Sequence, residues 1–249
     1  MATEFSASIK LADNMVRTSS FMKFRLTLFF GFFFVALFGV FIITSVLQVN
    51  SVTRYVCSQL AMPPVNRVEE LIGGDNLDDF LELTLSLDDT SDYYINTQKR
   101  MLEIKNEFGV QYLYTMILIS DTVYRYIIDG SSTPDDEENF SPIGTDEDVS
   151  DYEEAFFVTV RTGTSLLGGI DHTELWGNVI SAYAPIRNHD GEVIGIIGCD
   201  LDADPIIEWI RLQVLWQLGV VAVFIIAGAV VYIGLLRRIN GLVMYEKES

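Results

Sequence analysis

Two long apolar runs frame the chain, and between them the hydrophobic pattern changes from helical to strand-like. Phe24 to Val49 and Leu212 to Leu236 each contain an uncharged stretch longer than the ~20 residues needed to cross a hydrocarbon core. The first is too long for the apolar region of a signal peptide, and no small-x-small cleavage pattern follows it, so it reads as a signal anchor. Residues 1–22 are polar and aperiodic, which predicts a non-helical tail. Beyond the first run Val46, Val49, Thr53, Val56 and Leu60 recur at spacings of three and four. This helical stripe suits either a dimer seam or packing on a sheet. Pro63-Pro64 interrupts it and Gly73-Gly74 ends the turns that follow. A helix is predicted over 75–85. Another follows, with Thr90 or Ser91 as N-cap, Tyr94, Met101, Ile104 and Phe108 on one side, and Gly109 just past its end.

From residue 111 the period becomes two. QYLYTMILI and TVYRYIID read as a hairpin with Ser120-Asp121 as its turn. That register puts Tyr112, Tyr114 and Met116 on a face with Arg125, Ile127 and Asp129, and Leu113, Thr115, Ile117, Tyr124, Tyr126 and Ile128 on the other. A one-residue slip would invert the assignment. An acidic, Pro- and Gly-containing loop spans 130–150, DYEEAFFVTVRTG is a short helix, and TSLLGGID leads through His172 to a second hairpin. In that hairpin NVISAYAPI and EVIGIIGCD flank Asn188-His189-Asp190-Gly191, whose Asp-Gly step supplies the turn. Pairing outward from the turn separates two faces. Ile180, Ala182, Ala184 and Ile186 oppose Val193, Gly195, Ile197 and Cys199, a smooth apolar face on which the long helix from the first run can lie. Ser181, Tyr183, Ile194, Ile196 and Asp200 occupy the other, which suits the wall of a small-molecule pocket.

Composition and charge place this domain. About half of the 249 residues are hydrophobic and the formal net charge is −19. Lys10, Arg17, Lys23 and Arg25 precede the first run, and Arg237, Arg238 and Lys247 follow the second. The segment 50–211 holds only nine Lys and Arg against 31 Asp and Glu. Basic residues beside span ends face the cytoplasm, so both termini are expected inside and the middle outside. The expected division is a cytoplasmic tail over 1–22, transmembrane helices over 23–47 and 209–236, an extracytoplasmic domain over 48–208, and a second cytoplasmic tail over 237–249. The acidity argues against nucleic acid as a partner and favours cationic ligands.

Chemistry-bearing motifs are sparse. The chain has no CxxC, HExxH, GxxxxGK[ST] or GxSxG, and its two histidines, His172 and His189, do not furnish a His-rich metal site. A Ser181–Asp200 pair without a placed histidine is not a triad. No catalysis, cofactor or metal is expected. The acidic run Asp135 to Glu138 fits no Ca²⁺ loop template. Cys57 and Cys199 either pair outside the membrane or serve as small buried hydrophobes.

The order span, long helix, helices, hairpin, loop and helix, hairpin, span, with YLYTM, YRYIIDG and AYAPIRNHDGEVIGIIGCDLD, resembles the extracytoplasmic Cache sensor domains of bacterial transmembrane receptors. The resemblance covers about residues 46–236. It implies an α+β fold: a single PAS-like Cache domain with an antiparallel sheet of about five strands and a long N-terminal helix, between two transmembrane helices of the bacterial inner membrane. It also implies signalling as a homodimer. Amino-acid-binding members carry R-x-W-Y, then Y-x-D, then a late Asp in G-x-D. Here Tyr152 matches the last position of the first motif, Asp171 the Asp of the second and Asp200 the third. Val149, Asp151 and Gly169 stand where Arg, Trp and Tyr belong. The missing Arg is the group that binds a ligand carboxylate, whereas the carboxylates that face an amine remain. The candidate ligand-binding residues are Tyr114, Arg125, Tyr152, Asp171, Tyr183 and Asp200, and the candidate ligand is an amine or other small cation. Asp200 is equally placed to cap the next helix, and Asp171 to make a turn contact. A two-span interaction protein without a small ligand is the alternative reading.

Overall fold

The computed structural model describes residues 2–173 and 177–248. Trp176, at the head of the second hairpin, and the side chain of Cys57 fall outside the described residues. Helix α1 runs Ala2–Leu60, α2 Met62–Ile72, α3 Leu77–Ser86 and α4 Asp92–Phe108. Strands β1 (Tyr112–Ser120), β2 (Val123–Asp129) and β3 (Asp146–Asp148) follow, then α5 (Glu154–Thr162), β4 (Leu166–Thr173), β5 (Gly177–Arg187) and β6 (Val193–Asp202). Helix α6 (Asp204–Glu248) ends the chain. Residues 2–49 and 209–248 form one compact unit and 50–208 another.

Two helical segments are long and apolar enough to cross a membrane, Arg17–Val49 in the first unit and Asp204–Gly241, most of which lies there too, and this fits a two-span membrane protein. Within the first unit the Tyr232 hydroxyl lies 2.8 Å from that of Thr27, and the Gln217 amide donates to Gln48 at 3.2 Å. Helix α1 begins at Ala2, where a non-helical tail is expected from composition. Residues 2–30 contain no Pro or Gly, so nothing in the backbone stops the helix.

The second unit is α+β, as expected, but its antiparallel sheet has six strands in the order β3-β2-β1-β6-β5-β4. The sequence conceals β3, which is three residues long, and β4, whose pattern is broken by Gly168-Gly169. The β5–β6 hairpin keeps the expected faces, but an irregularity between Ile186 and Arg187 shifts the pairing by two residues: Ile186 opposes Gly195, Ala184 opposes Ile197, Ala182 opposes Cys199 and Ser181 opposes Asp200. The turn is a knot around Asn188, whose Oδ1 accepts from the backbone N–H of Asp190 and Glu192.

The β1–β2 register differs from the expected one. The loop is Asp121-Thr122, and two bulges follow, so that Met116 opposes Tyr126 and Leu118 opposes Tyr124. Each bulge inserts one unpaired residue and re-aims its neighbours. At the second bulge the buried Thr115 hydroxyl accepts from Ile128 N–H at 2.9 Å and donates to Ile128 C=O at 3.2 Å, which satisfies the backbone groups the bulge leaves free. Tyr124 and Tyr126 thereby join Tyr114 and Met116 on one face, and Arg125 leaves it.

The smooth face of the sheet packs on α2, α3 and α4. Val65, Val68 and Ile72 at helical spacing, Phe80, Leu83, Met101 and Ile104 meet Leu113, Ile127, Ile128, Ile180, Ala182, Ala184, Ile197 and Cys199. Among the described residues, the helical residues seated here begin at Ala61, one past the end of α1. Pro63 and Pro64 sit in the first turn of α2, where a missing N–H costs nothing. Ser91 caps α4 by accepting from Tyr94 N–H, and Gly109 ends it at φ 66°. Cys199 is a free thiol buried in this core, so the Cys57–Cys199 disulfide is not formed.

Candidate functional site

On the other face the alternation of β6 sets the pattern. Gly198 and Asp200 point to one side while Cys199 points into the helix-side core. Asp200 lies in a row between Tyr112 of β1 and Ser181 of β5. Gly198 lies one step along, between Tyr114 and Tyr183. A Cβ at position 198 would run into the Tyr114 ring, so glycine is what lets that ring lie flat across β6. Helix α5 closes over this face through Phe156, whose ring meets Tyr124 at 4.9 Å, Tyr152 at 5.1 Å and Tyr183 at 5.4 Å, all edge-to-face.

These elements enclose a cavity of about 380 Å³. Tyrosines 112, 114, 126, 152 and 183 line it, with Asp129, Glu147, Asp148, Asp151, Glu153, Asp171 and Asp200. Ser131, Asn139, Ser141, Ser181, His172 and Val179 complete the wall, and none of the lining residues is Lys or Arg. The carboxylates are dispersed: among the described residues no group of His, Cys, Asp and Glu is arranged to hold a metal ion.

Five of the six candidate residues come together here: Tyr114, Tyr152, Asp171, Tyr183 and Asp200. Arg125 does not. The β1–β2 bulges turn it away from the cavity, and its guanidinium grips Asp146 of β3 through two hydrogen bonds of 2.7 and 2.9 Å. Val149, where the resembling motif has Arg, is buried among the aromatic side chains.

The buried carboxylates divide by what they hold. Asp129 accepts backbone N–H bonds from Ser131 at 2.8 Å and Ser141 at 2.6 Å, which ties the ends of the 130–141 loop to β2. Burial raises its pKa, and these bonds oppose the rise. Asp200 is only 7 % exposed. Burial pushes its pKa from 3.8 up to about 7, against hydrogen bonding from Ser181 and Tyr114 and with help from the charge on Glu153. Its Oδ1 is buried and has no partner among the described residues. The Glu153 carboxylate lies over Gly168, where any side chain would collide with it, and one oxygen accepts from Gly169 N–H at 2.9 Å. The other oxygen, Oε1, is buried and has no partner among the described residues. Burial raises the Glu153 pKa too, the charge on Asp171 adds to the rise, and hydrogen bonding from Tyr183 to the carboxylate opposes it. Burial first, then the Asp200 charge, lifts the Tyr114 and Tyr183 hydroxyls well above their ordinary range. They are neutral phenols that offer hydrogen bonds and ring faces.

Glu153 and Tyr126 escaped the reading of the sequence, whereas Asp129 was expected on the face of Tyr114 but not named a candidate. For Glu153 a signal existed: paired glycines inside a strand mark a close approach by another group, here the Glu153 carboxylate. For Tyr126 none did, because its face depends on the bulges.

The chain is similar to solved sensor domains of bacterial receptors. The sensor domain of the V. cholerae histidine kinase DctB matches 66% of this chain and 55% of its own, at 14% identity and a TM-score of 0.46. The ligand-binding domain of the Campylobacter jejuni chemoreceptor Tlp3, solved with L-valine, matches over 67% of this chain and 60% of its own, at 15% identity and a TM-score of 0.42. The E. coli DcuS sensor domain matches over 60% and 96%, at 9% identity and a TM-score of 0.36. The chain thus spans 55% and 60% of the lengths of the first two. No protein-family model and no curated protein matches it.

Proposed function

We propose that residues 50–208 form an extracytoplasmic sensor domain that binds a small organic cation, an amine in particular, and reports its occupancy to the cytoplasm through α6. The observation that carries the reading is Asp200: a buried carboxylate with an unpaired oxygen, in a cavity with seven acidic residues and no Lys or Arg in its lining. A buried charge is costly unless it meets an opposite charge and hydrogen bonds. A ligand N–H supplies both, and the tyrosine faces favour a cation further. Asp200 stands near the end of β6, and α6 starts two residues after that strand ends. A ligand that prefers one position of β6 biases α6 by its differential affinity and by no more. Basic residues beside the outer ends of both spans support termini inside the cell. A homodimer in the bilayer is the assembly through which such a bias is read.

Thermal unfolding of the full chain in lipid nanodiscs, with primary and quaternary amines, amino acids, carboxylates and divalent cations, tests this. A ligand present at 100 times its Kd stabilises by about 2.7 kcal/mol. Amines should raise Tm, and Asp200→Asn should abolish the rise. Because a cation displaces the Asp200 proton, affinity should increase with pH up to about 7 and then level off. A rise confined to carboxylates, or an amine response untouched by Asp200→Asn, overturns the reading.

A further inference from the structure

The geometry points to an occupant with a positive head at each end, a linear diamine or longer amine, one head seated at Asp200 and the other at Glu153. This rests on the cationic reading above and narrows its ligand class.

Asp200 Oδ1 and Glu153 Oε1 are each buried and without a partner among the described residues, and both residues line the same cavity. They sit at different places on the sheet. Asp200 belongs to β6. Glu153 precedes α5, but Gly168 and Gly169 hold its carboxylate on β4. Leu167 pairs with Ala182 and Ile170 with Ile180, so the two glycines lie beside Ser181, the residue that pairs with Asp200 on its other side. The two carboxylates therefore mark one row across the sheet with β5 between them. Two strand spacings, roughly 9–10 Å, separate the backbones on which the two carboxylates lie. A single ammonium, with N–H···O distances of about 2.8 Å, bridges acceptors no more than about 5.6 Å apart. Two heads on a linker pair both oxygens with each carboxylate held on its own strand.

The wall between the sites suits a linker. Val179 and Tyr183 flank Ser181 on the same face of β5 and give the row an apolar floor for methylene groups. Asp171 lies on β4 beside the Glu153 end and reinforces its negative charge. Gly168 has a defined task here, because it gives the Glu153 carboxylate room to lie on the strand.

Isothermal titration of the full chain in nanodiscs with n-alkylamines and α,ω-diamines of increasing length tests the inference. The expected result is an optimum of diamine length, with the best diamine about 10- to 100-fold tighter than the monoamine of equal length. Glu153→Gln should bring that diamine down to the monoamine's level. Gly168→Ala, which displaces the carboxylate without removing it, should do the same. The length series on the unmodified chain carries the test by itself if either variant fails to fold. Monoamines binding as tightly as every diamine would overturn the two-headed ligand while leaving the cationic reading intact. Binding of neither class would overturn both.

Discussion

The two faces of the sheet are both buried, and they are built on opposite principles. The face under α2, α3 and α4 is mostly aliphatic and, apart from the Tyr93 hydroxyl, leaves no buried side-chain polar atom without a partner among the described residues. The face under α5 is aromatic and acidic, encloses a cavity, and buries two carboxylate oxygens without partners. β5 and β6 serve both at once, because successive side chains point to opposite sides. Burial alone therefore does not distinguish a core from a site. What distinguishes them is whether the buried polar groups are satisfied. Asp129 and Asp200 make the point within one face: the first is spent on two backbone N–H groups, the second holds an oxygen in reserve.

The comparison can be tested at several strengths. Phe80 on the helix side and Phe156 on the cavity side are both fully buried. Truncation of either to Ala should cost about 3–5 kcal/mol in chemical denaturation of the full chain. A markedly smaller loss at Phe156 would make the second face a loose cover and not a core.

Next comes the pair of aspartates. Asp129→Ala strands the N–H groups of Ser131 and Ser141 and should cost about 2–4 kcal/mol. Asp200→Asn should act in the opposite direction and depend on pH. The folded-state pKa is raised, so the folded protein holds a proton that the unfolded chain has released between the ordinary value of 3.8 and about 7. Stability is complete below the lower value and falls as pH rises toward 7. The Asn variant removes that loss. It should be more stable by roughly 4 kcal/mol at pH 8 and little changed near pH 4. Melting curves at the two pH values check this, and equal effects at both would contradict it. The smallest effect belongs to Arg125→Ala. Its partner Asp146 is exposed and the pair lies outside the cavity, so melting temperature and ligand response should both stay where they are. A loss of amine binding in this variant would return Arg125 to the site.

How much of this was legible follows from where each constraint sits in the chain. The β5–β6 hairpin is local. One Asp-Gly turn sets which residues share a face, and the irregularity beside it shifts the pairing without exchanging the faces, so the smooth face and the face shared by Ser181 and Asp200 could be read directly. The β1–β2 hairpin is equally local, yet it bulges twice and the expected faces are inverted between the bulges; that is how Arg125 was placed in the pocket and Tyr126 left out. Strand β4 reads poorly because its glycines carry no side-chain pattern, and those glycines matter only once Glu153 is seen lying on them.

By itself the sequence determined the two apolar spans, the acidic domain between them, the helix caps and breaks, and the alternation that gives β6 one face for packing and one for chemistry. These depend on composition, period and turn residues within a few positions of one another. Tertiary structure alone decided which carboxylates are satisfied and which are not. Asp129 and Asp200 are the same residue type at the end of similar strands. Only the loop that folds back onto the first, and the cavity that opens beside the second, make one a fastener and the other a site.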